Sequence, residues 1–280
     1  MSARRSSFVT VWMWAGFAFL YIPILSLVIF SFNSNKLVTV WAGFSTKWYY
    51  ALMRNQQILD AAFLSLKIAL ITATIAVVLG TLVALCLTRF GVFRGRALLS
   101  GLASAPLVMP EVITGLSLLL LFVAMEQAIG WPAGRGVLTI IIAHATFAMA
   151  YVAVVVQSRL VGMDPSIEEA ALDLGAKPAK VFFVITLPII APSLISGWLL
   201  AFTLSLDDLV ISSFVSGPGA STLPMVIYSK VRLGLSPEIN ALATLMVLVV
   251  ALGVVLASWL LARQETARRR DAQMAIGNLK

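Results

Sequence analysis

The sequence predicts an all-α membrane protein with six transmembrane helices, and three observations carry that expectation. Apolar residues fill 60% of the 280 positions and charged residues only 11%, against about half and a quarter in soluble domains. The apolar residues gather into six runs, at about 10–32, 61–88, 98–125, 137–157, 190–214 and 239–262, each able to supply the roughly 20 residues that a helix needs to cross a bilayer. The basic residues sit in the short segments between the runs and are divided unequally between the two sides.

That division sets an orientation. With the N-terminus inside, the inner segments hold Arg4, Arg5, Arg89, Arg94, Arg96, Arg159, Lys177, Lys180, Arg263, Arg268, Arg269, Arg270 and Lys280. The outer segments hold Lys36, Lys47, Arg54, Arg135, Lys230 and Arg232. Thirteen against six places both termini and the segment 159–189 in the cytoplasm. The net charge of +8 is then a topology signal and not a nucleic-acid footprint. Arg4-Arg5 before an apolar run resembles a signal peptide, but the run is too long and ends without a small-residue cleavage site, so it reads as an uncleaved first span. Trp41, Trp48, Tyr49 and Tyr50 lie in the outer segment 33–60, where aromatic rings would rest at headgroup level. The basic tail from Arg263 is expected to fray into the cytosol. No composition shift or linker divides the chain, so residues 1–280 are read as one transmembrane domain.

The segment 168–188, EEAALDLGAKPAKVFFVITLP, is the main polar interruption in the middle of the chain. Ser166 and Glu169 have capping-box spacing, Gly175 suits a helix end, and Pro178 suits the first position of a second helix. Leu187-Pro188 is expected to close that helix before the fifth span. The local expectation is a helix–turn–helix between two spans.

The residues Glu169-Ala170-Ala171, then Gly175, then Ile185 and Leu187-Pro188 resemble the "EAA" signature of the membrane subunits of bacterial ABC importers. The resemblance implies a type I importer permease fold. It also implies that Glu169, Ala170, Ala171, Gly175, Leu187 and Pro188 belong to the loop that couples the permease to a cytoplasmic ATPase.

Catalytic constellations are missing from the sequence. There is no GxxxxGK[ST] loop, so ATP and Mg would be held by a partner ATPase. Gly134-Arg135-Gly136 lacks the Lys and Ser/Thr of a phosphate cradle. The lone Cys86 excludes a disulfide framework and reads as a small buried hydrophobe. The one histidine, His144, lies in mid-span, where an interhelical hydrogen bond outweighs a proton relay. The chain is therefore expected to be no enzyme and to bind no metal.

Ionisable residues at membrane depth mark function by default. Asp207 and Asp208 fall within the fifth run, and Glu111 follows Pro110 in the third. At about 100° per residue, Ser205, Asp208 and Ser212 share one helical stripe and Thr203 and Asp207 a neighbouring one. Pro106 and Pro110 are expected to break the third helix beside Glu111. Tyr151, with Phe147 near it, is a candidate for a cation–π contact. The carboxylates would line a passage, or else pair with Lys67 or an arginine of a neighbouring chain, or sit at the outer interface.

FNSNKLVTVWAGFSTKWY at 32–49, PLVMPEVITGLSLLLLF at 106–122, SLDDLVISSFVSGPG at 205–219 and SPEINALAT at 236–244 resemble the polyamine-importer permeases, in wording nearest the putrescine-type second permease. The resemblance covers nearly the whole chain. It implies a subunit of the bacterial inner membrane that moves polyamine, putrescine first, from periplasm to cytoplasm. Its implied partners are a homologous second permease, an ATPase dimer, a periplasmic polyamine-binding protein and membrane lipid. A spermidine or other cationic-solute permease of the same type is the alternative. A secondary transporter in which Asp207, Asp208 and Glu111 carry protons or sodium is a further one, though such a carrier has no use for a cytosolic helix pair.

Overall fold

The computed structural model describes residues 7–36, 40–234, 237–252 and 255. Both chain termini, including Arg4, Arg5 and the basic tail, and most of the second half of the expected sixth span lie outside the described residues. The described residues form helices and no β-strand, apart from an isolated bridge between Asn33 and Phe44. In chain order the helices are α1 (Ser7–Ser31), α2 (Lys47–Arg54), α3 (Gln56–Arg89), α4 (Arg96–Val108), α5 (Glu111–Ile129), α6 (Val137–Val161), α7 (Ser166–Asp173) and α8 (Pro178–Val181). A π turn, Phe182–Thr186, then leads into α9 (Leu187–Leu206), α10 (Val210–Val215), α11 (Leu223–Leu233) and α12 (Pro237–Leu252). Among the described residues five stretches are long and apolar enough to cross a membrane: Phe8–Ser31, Gln56–Arg89, Glu111–Ile129, Val137–Val161 and Pro178–Leu206.

Two of the expected spans are not single helices. The run 98–125 is split between α4 and α5, and the break falls at Met109-Pro110 alone; Pro106 lies inside α4. A residue before proline is pushed out of the α region, and Met109 accordingly adopts φ −75°, ψ 136°. The run 190–214 is split at residues 207–209, between α9 and α10.

The contact pattern divides the chain into two compact units, Met1–Gln56 with Lys230–Lys280, and Gln57–Ser229. In the first unit α1 is exposed along most of its length. The loop after it is organised by Asn33, which is fully buried. Its Nδ2 donates to the Val40 carbonyl at 2.7 Å, and its Oδ1 accepts from the amides of Asn35 and Ala42. Two of the four aromatic residues expected at headgroup level pack into this loop. Trp48 is buried with its indole donating to the Asn33 carbonyl at 2.7 Å, and Tyr49 shares a 2.7 Å hydrogen bond with Ser31. A buried indole needs an acceptor, and the Asn33 carbonyl supplies it; Trp41 and Tyr50 stay exposed.

The second unit is built around α6. One face of α6 packs Ile140, Ile141, Ala143 and Phe147 with Ile68 of α3, Phe122 of α5 and Ile211 and Val215 of α10. Further along, Ala148, Val152, Val156 and Leu160 pack with Ala73, Ala76 and Ala84 of α3 and Ile190 and Ala201 of α9. Small side chains let membrane helices approach closely where lipid offers no hydrophobic drive. The approach is close at Gly80, where an added Cβ would lie 2.8 Å from Val152 Cβ and 2.9 Å from the Met149 carbonyl oxygen. Both halves of α6 are thus held by apolar packing, with the buried His144 lying between Ala143 and Phe147 of the first cluster.

Candidate functional site

The break in α9 is a polar one, and α6 supplies its centre. Asp207 ends α9, its amide donating to the Thr203 carbonyl at 3.2 Å. Asp208 turns its carboxylate onto the start of α10: Oδ1 accepts from the Ile211 amide at 3.2 Å and Oδ2 from the Ser212 amide at 2.7 Å. A side-chain acceptor on the first free amides of a helix is an N-cap, so the carboxylate itself starts the new helix. His144 of α6 reaches the same oxygen, with Nε2 3.0 Å from Asp208 Oδ2 and 3.0 Å from Ser212 Oγ, while Nδ1 lies 2.8 Å from Ser205 Oγ. Ser205, Asp208 and Ser212, placed on one stripe by the sequence, do meet, but around His144 rather than along an unbroken helix.

His144 is therefore the interhelical hydrogen bonder that its lone mid-span position suggests. The partner of Asp208 is His144, and among the described residues no ion pair joins either aspartate to Lys67. The two aspartates differ sharply in setting. Asp208 is 7% exposed and both its oxygens are engaged; Asp207 is exposed.

Glu111 is the first residue of α5 and is exposed. One turn on, Gly115 lets α5 lie against α10, since a Cβ there would sit 2.8 Å from the Phe214 ring and 3.3 Å from the Ile211 Cα. The helix that begins after one break thus packs on the helix that begins after the other. Tyr151 is half-buried, its ring 5.2 Å from that of Phe147. It lies seven residues beyond His144, roughly 10 Å along α6 on nearly the same face, so it does not join the His144 cluster. Among the described residues no three His, Cys, Asp or Glu side chains converge as a metal site.

The polar segment 159–189 forms the expected helix, turn and second helix, with corrections at both ends. Gly175, at φ +82°, closes α7 with its amide donating to the Leu172 carbonyl and that of Ala176 to the Ala171 carbonyl. These two bonds define a Schellman motif. Pro178 opens α8 at its first position. The Ser166–Glu169 capping box does not form. Pro165 already has helical angles, φ −64°, ψ −22°, so the residue outside the helix is Asp164, whose Oδ1 accepts from the Ser166 amide at 3.0 Å. That amide, with the Ser166 hydroxyl, holds the Asp164 carboxyl below its usual range.

Leu187-Pro188 does not close the second helix either. The chain continues through the π turn into α9, with the Leu187 amide donating five residues back to the Phe182 carbonyl. In a regular α-helix the Pro188 ring would crowd the Val184 carbonyl, and a widened turn stands at that point.

Within the signature, Glu169, Ala170 and Ala171 place two exposed residues and a half-buried one on α7. Its neighbour Glu168, unremarkable in the sequence, is the residue that turns inward. Glu168 Oε2 lies 2.7 Å from Arg89 Nε of α3, and its Oε1 accepts from Thr186 Oγ1 at 2.6 Å. A carboxylate at the α7 start and an arginine at the last position of a span are the signal that would have paired them.

Residues 76–270 match the family of binding-protein-dependent transport system inner membrane components, and the chain belongs to that family. It is 63% identical over 271 residues to the putrescine transport system permease protein PotI of Escherichia coli K12, covering 97% of this chain and 96% of that one. It is 44% identical to the spermidine/putrescine transport system permease protein PotC of the same organism, over 91% of this chain and 93% of that one. Two solved structures share the fold. A bacterial ABC transporter involved in import of the acidic polysaccharide alginate matches with TM-score 0.71 and 18% identity over 92% of this chain and 94% of that one. An amino acid ABC transporter matches with TM-score 0.53 and 20% identity over 76% and 96%.

Proposed function

We propose that this chain is the translocation subunit of an ATP-driven importer that moves polyamine, putrescine first, from periplasm to cytoplasm. The observation that carries the substrate class is identity of 63% to a putrescine permease along 97% of the chain. In this reading six spans cross the inner membrane, and both termini and residues 159–189 are cytoplasmic. The chain pairs with a homologous permease, and the pair works with an ATPase dimer, which holds ATP and Mg, and a periplasmic binding protein.

The polar break suits a cationic cargo. A diamine entering a low-dielectric passage gives up hydration and needs fixed negative charge, yet must be able to leave. Asp207 offers an exposed carboxylate at a helix end whose neighbour is already satisfied. Asp208, tied to His144 and to two amides, holds the backbone that presents Asp207. Glu111 serves as a rim charge at the start of α5, and Tyr151 as a weaker cation–π contact deeper along α6. Glu169, Ala170, Ala171 and Gly175, with the turn leading to Leu187 and Pro188, form the surface met by the ATPase.

Reconstituting the four components in proteoliposomes and measuring ATP-dependent uptake of labelled putrescine, spermidine and a neutral amine-free solute tests the reading. Putrescine uptake that needs ATP is the expected result. Uptake driven by a proton or sodium gradient without ATP would replace it with a secondary transporter.

A further inference from the structure

Arg89 is the last residue of α3, the longest helix among the described residues. Its end is fixed by Arg96, whose guanidinium donates to the Leu87 carbonyl at 2.9 Å and the Gly91 carbonyl at 2.7 Å. From that fixed end Arg89 meets Glu168 in the first turn of α7, and Glu168 in turn holds Thr186, the buried last residue of the π turn. One carboxylate thus joins the end of α3, the first helix of the hairpin and the turn that opens α9.

The three elements flank a cleft of about 720 Å³ lined by Leu85, Cys86 and Phe90 from the α3 side and Leu172, Val181 and Phe182 from the hairpin side. The lining is largely apolar and the cleft is open, so lining side chains alone do not dictate the hairpin angle. The Arg89–Glu168 ion pair and the Thr186–Glu168 hydrogen bond hold it. The Arg89 and Glu168 side chains are 23% and 15% exposed, which screens the pair less than a surface ion pair. Glu168 and Glu169 both border this cleft, but Glu168 is the one that reaches Arg89 and Thr186, while Glu169 is exposed.

We infer that Arg89 is a positioning residue for energy coupling: through Glu168 it fixes the hairpin to α3 and to the π turn. A displacement of α7 then moves the end of α3 and the start of α9 together instead of being absorbed in the cleft. This rests on the reading of residues 159–189 as the ATPase-facing element.

The test uses the assembled transporter in proteoliposomes, with Arg89→Gln, Glu168→Gln and the exchanged pair Arg89→Glu with Glu168→Arg. Each single variant is expected to retain co-purifying ATPase and basal ATP hydrolysis while the substrate imported per ATP falls about fivefold or more, the low end of typical coupling energies. The exchanged pair is expected to recover a substantial part of that ratio. A wild-type ratio in both single variants, or no recovery in the exchanged pair, overturns the inference. Loss of ATPase co-purification in all three assigns the contact to folding and overturns it equally. Gly175→Val run in parallel reports on the underlying reading, because full ATPase recovery with that variant means that the hairpin is not the docking element.

Discussion

His144 Nε2 lies 3.0 Å from Asp208 Oδ2, while Nδ1 of the same ring lies 2.8 Å from Ser205 Oγ. The carboxylate can only accept, so Nε2 is the donor in the contact to Asp208. One ring therefore ties α6 to both sides of the α9–α10 break. Removing either member takes one buried hydrogen-bond partner from the other, and such a bond contributes about 0.5–1.5 kcal/mol. His144→Ala and Asp208→Ala are each expected to lower the thermal stability of the detergent-solubilised complex. The double variant should lose clearly less than the two singles together, because they break the same contact. Additive losses would show that the two side chains act separately.

Asp207 should behave differently from its neighbour. It is exposed and makes no side-chain contact that starts a helix, so Asp207→Asn leaves stability within about 0.5 kcal/mol of wild type, as surface changes usually do. It removes the charge offered to a cationic cargo, and ATP-driven polyamine uptake is expected to drop sharply in the intact complex. Asp208→Asn keeps an acceptor for the α10 amides and should fall between the two, with weaker uptake accompanied by lower stability. Glu111→Gln should have the smallest effect on uptake. Wild-type uptake in the Asp207 variant would move the cargo path elsewhere.

Gly80 tests the packing that holds these helices in place. A methyl there meets Val152 Cβ at 2.8 Å and the Met149 carbonyl oxygen at 2.9 Å, and the carbonyl cannot rotate aside. Overpacking of this kind costs about 1–3 kcal/mol. Gly80→Ala is expected to lower the melting temperature of the purified protein, and adding Val152→Ala should restore part of it. An unchanged melting temperature would mean that α3 and α6 are free to separate.

Orientation is open to a direct measurement. Single cysteines at Lys177 and Ser221, in a Cys86→Ser background, should label from opposite faces of intact inner membrane, Ser221 from outside and Lys177 only after the inner face is made accessible. Labelling of both from outside would overturn the assignment of residues 159–189 to the cytoplasm.

Much of this was legible in the residues. Gly175 and Pro178 punctuate the hairpin because a left-handed turn and a missing amide have few tolerant residue types, and His144 needed a partner wherever it lay. The failures were of register and direction. Asp208 was read as a residue on a continuous helix, but its carboxylate can cap a helix as readily as face out of one, and hydropathy does not see a three-residue break. Ser166 was given the cap that Asp164 takes, because Pro165 carries helical geometry one residue early. Pro188 was read as a stop, yet a π turn passes over it. Glu168 was hidden because its partner, Arg89, lies 79 positions away by subtraction of their numbers, and only the fold brings them together.

Gly175 offers the sharpest test of the hairpin. Its φ of +82° lies in the left-handed region, and a Cβ there meets nothing within 4 Å. Any loss on substitution is therefore a backbone effect and not a clash. A left-handed conformation costs an L-residue roughly 1–2 kcal/mol and is worse for a β-branched one. In Gly175→Val the cheaper course is to abandon the Schellman turn, which turns α8 away from its angle to α7. The chain should still insert, because the spans are untouched, but ATPase recovery and transport should both fall. Gly175→Asn, which visits this region more readily, should keep a substantial part of both. Glu169→Ala should be milder, because Glu169 makes no cap contact and acts only through whatever it meets outside the chain. Equal loss in the Val and Asn variants would show that something other than the turn requires glycine, and full ATPase recovery in the Val variant would remove the hairpin from the docking surface.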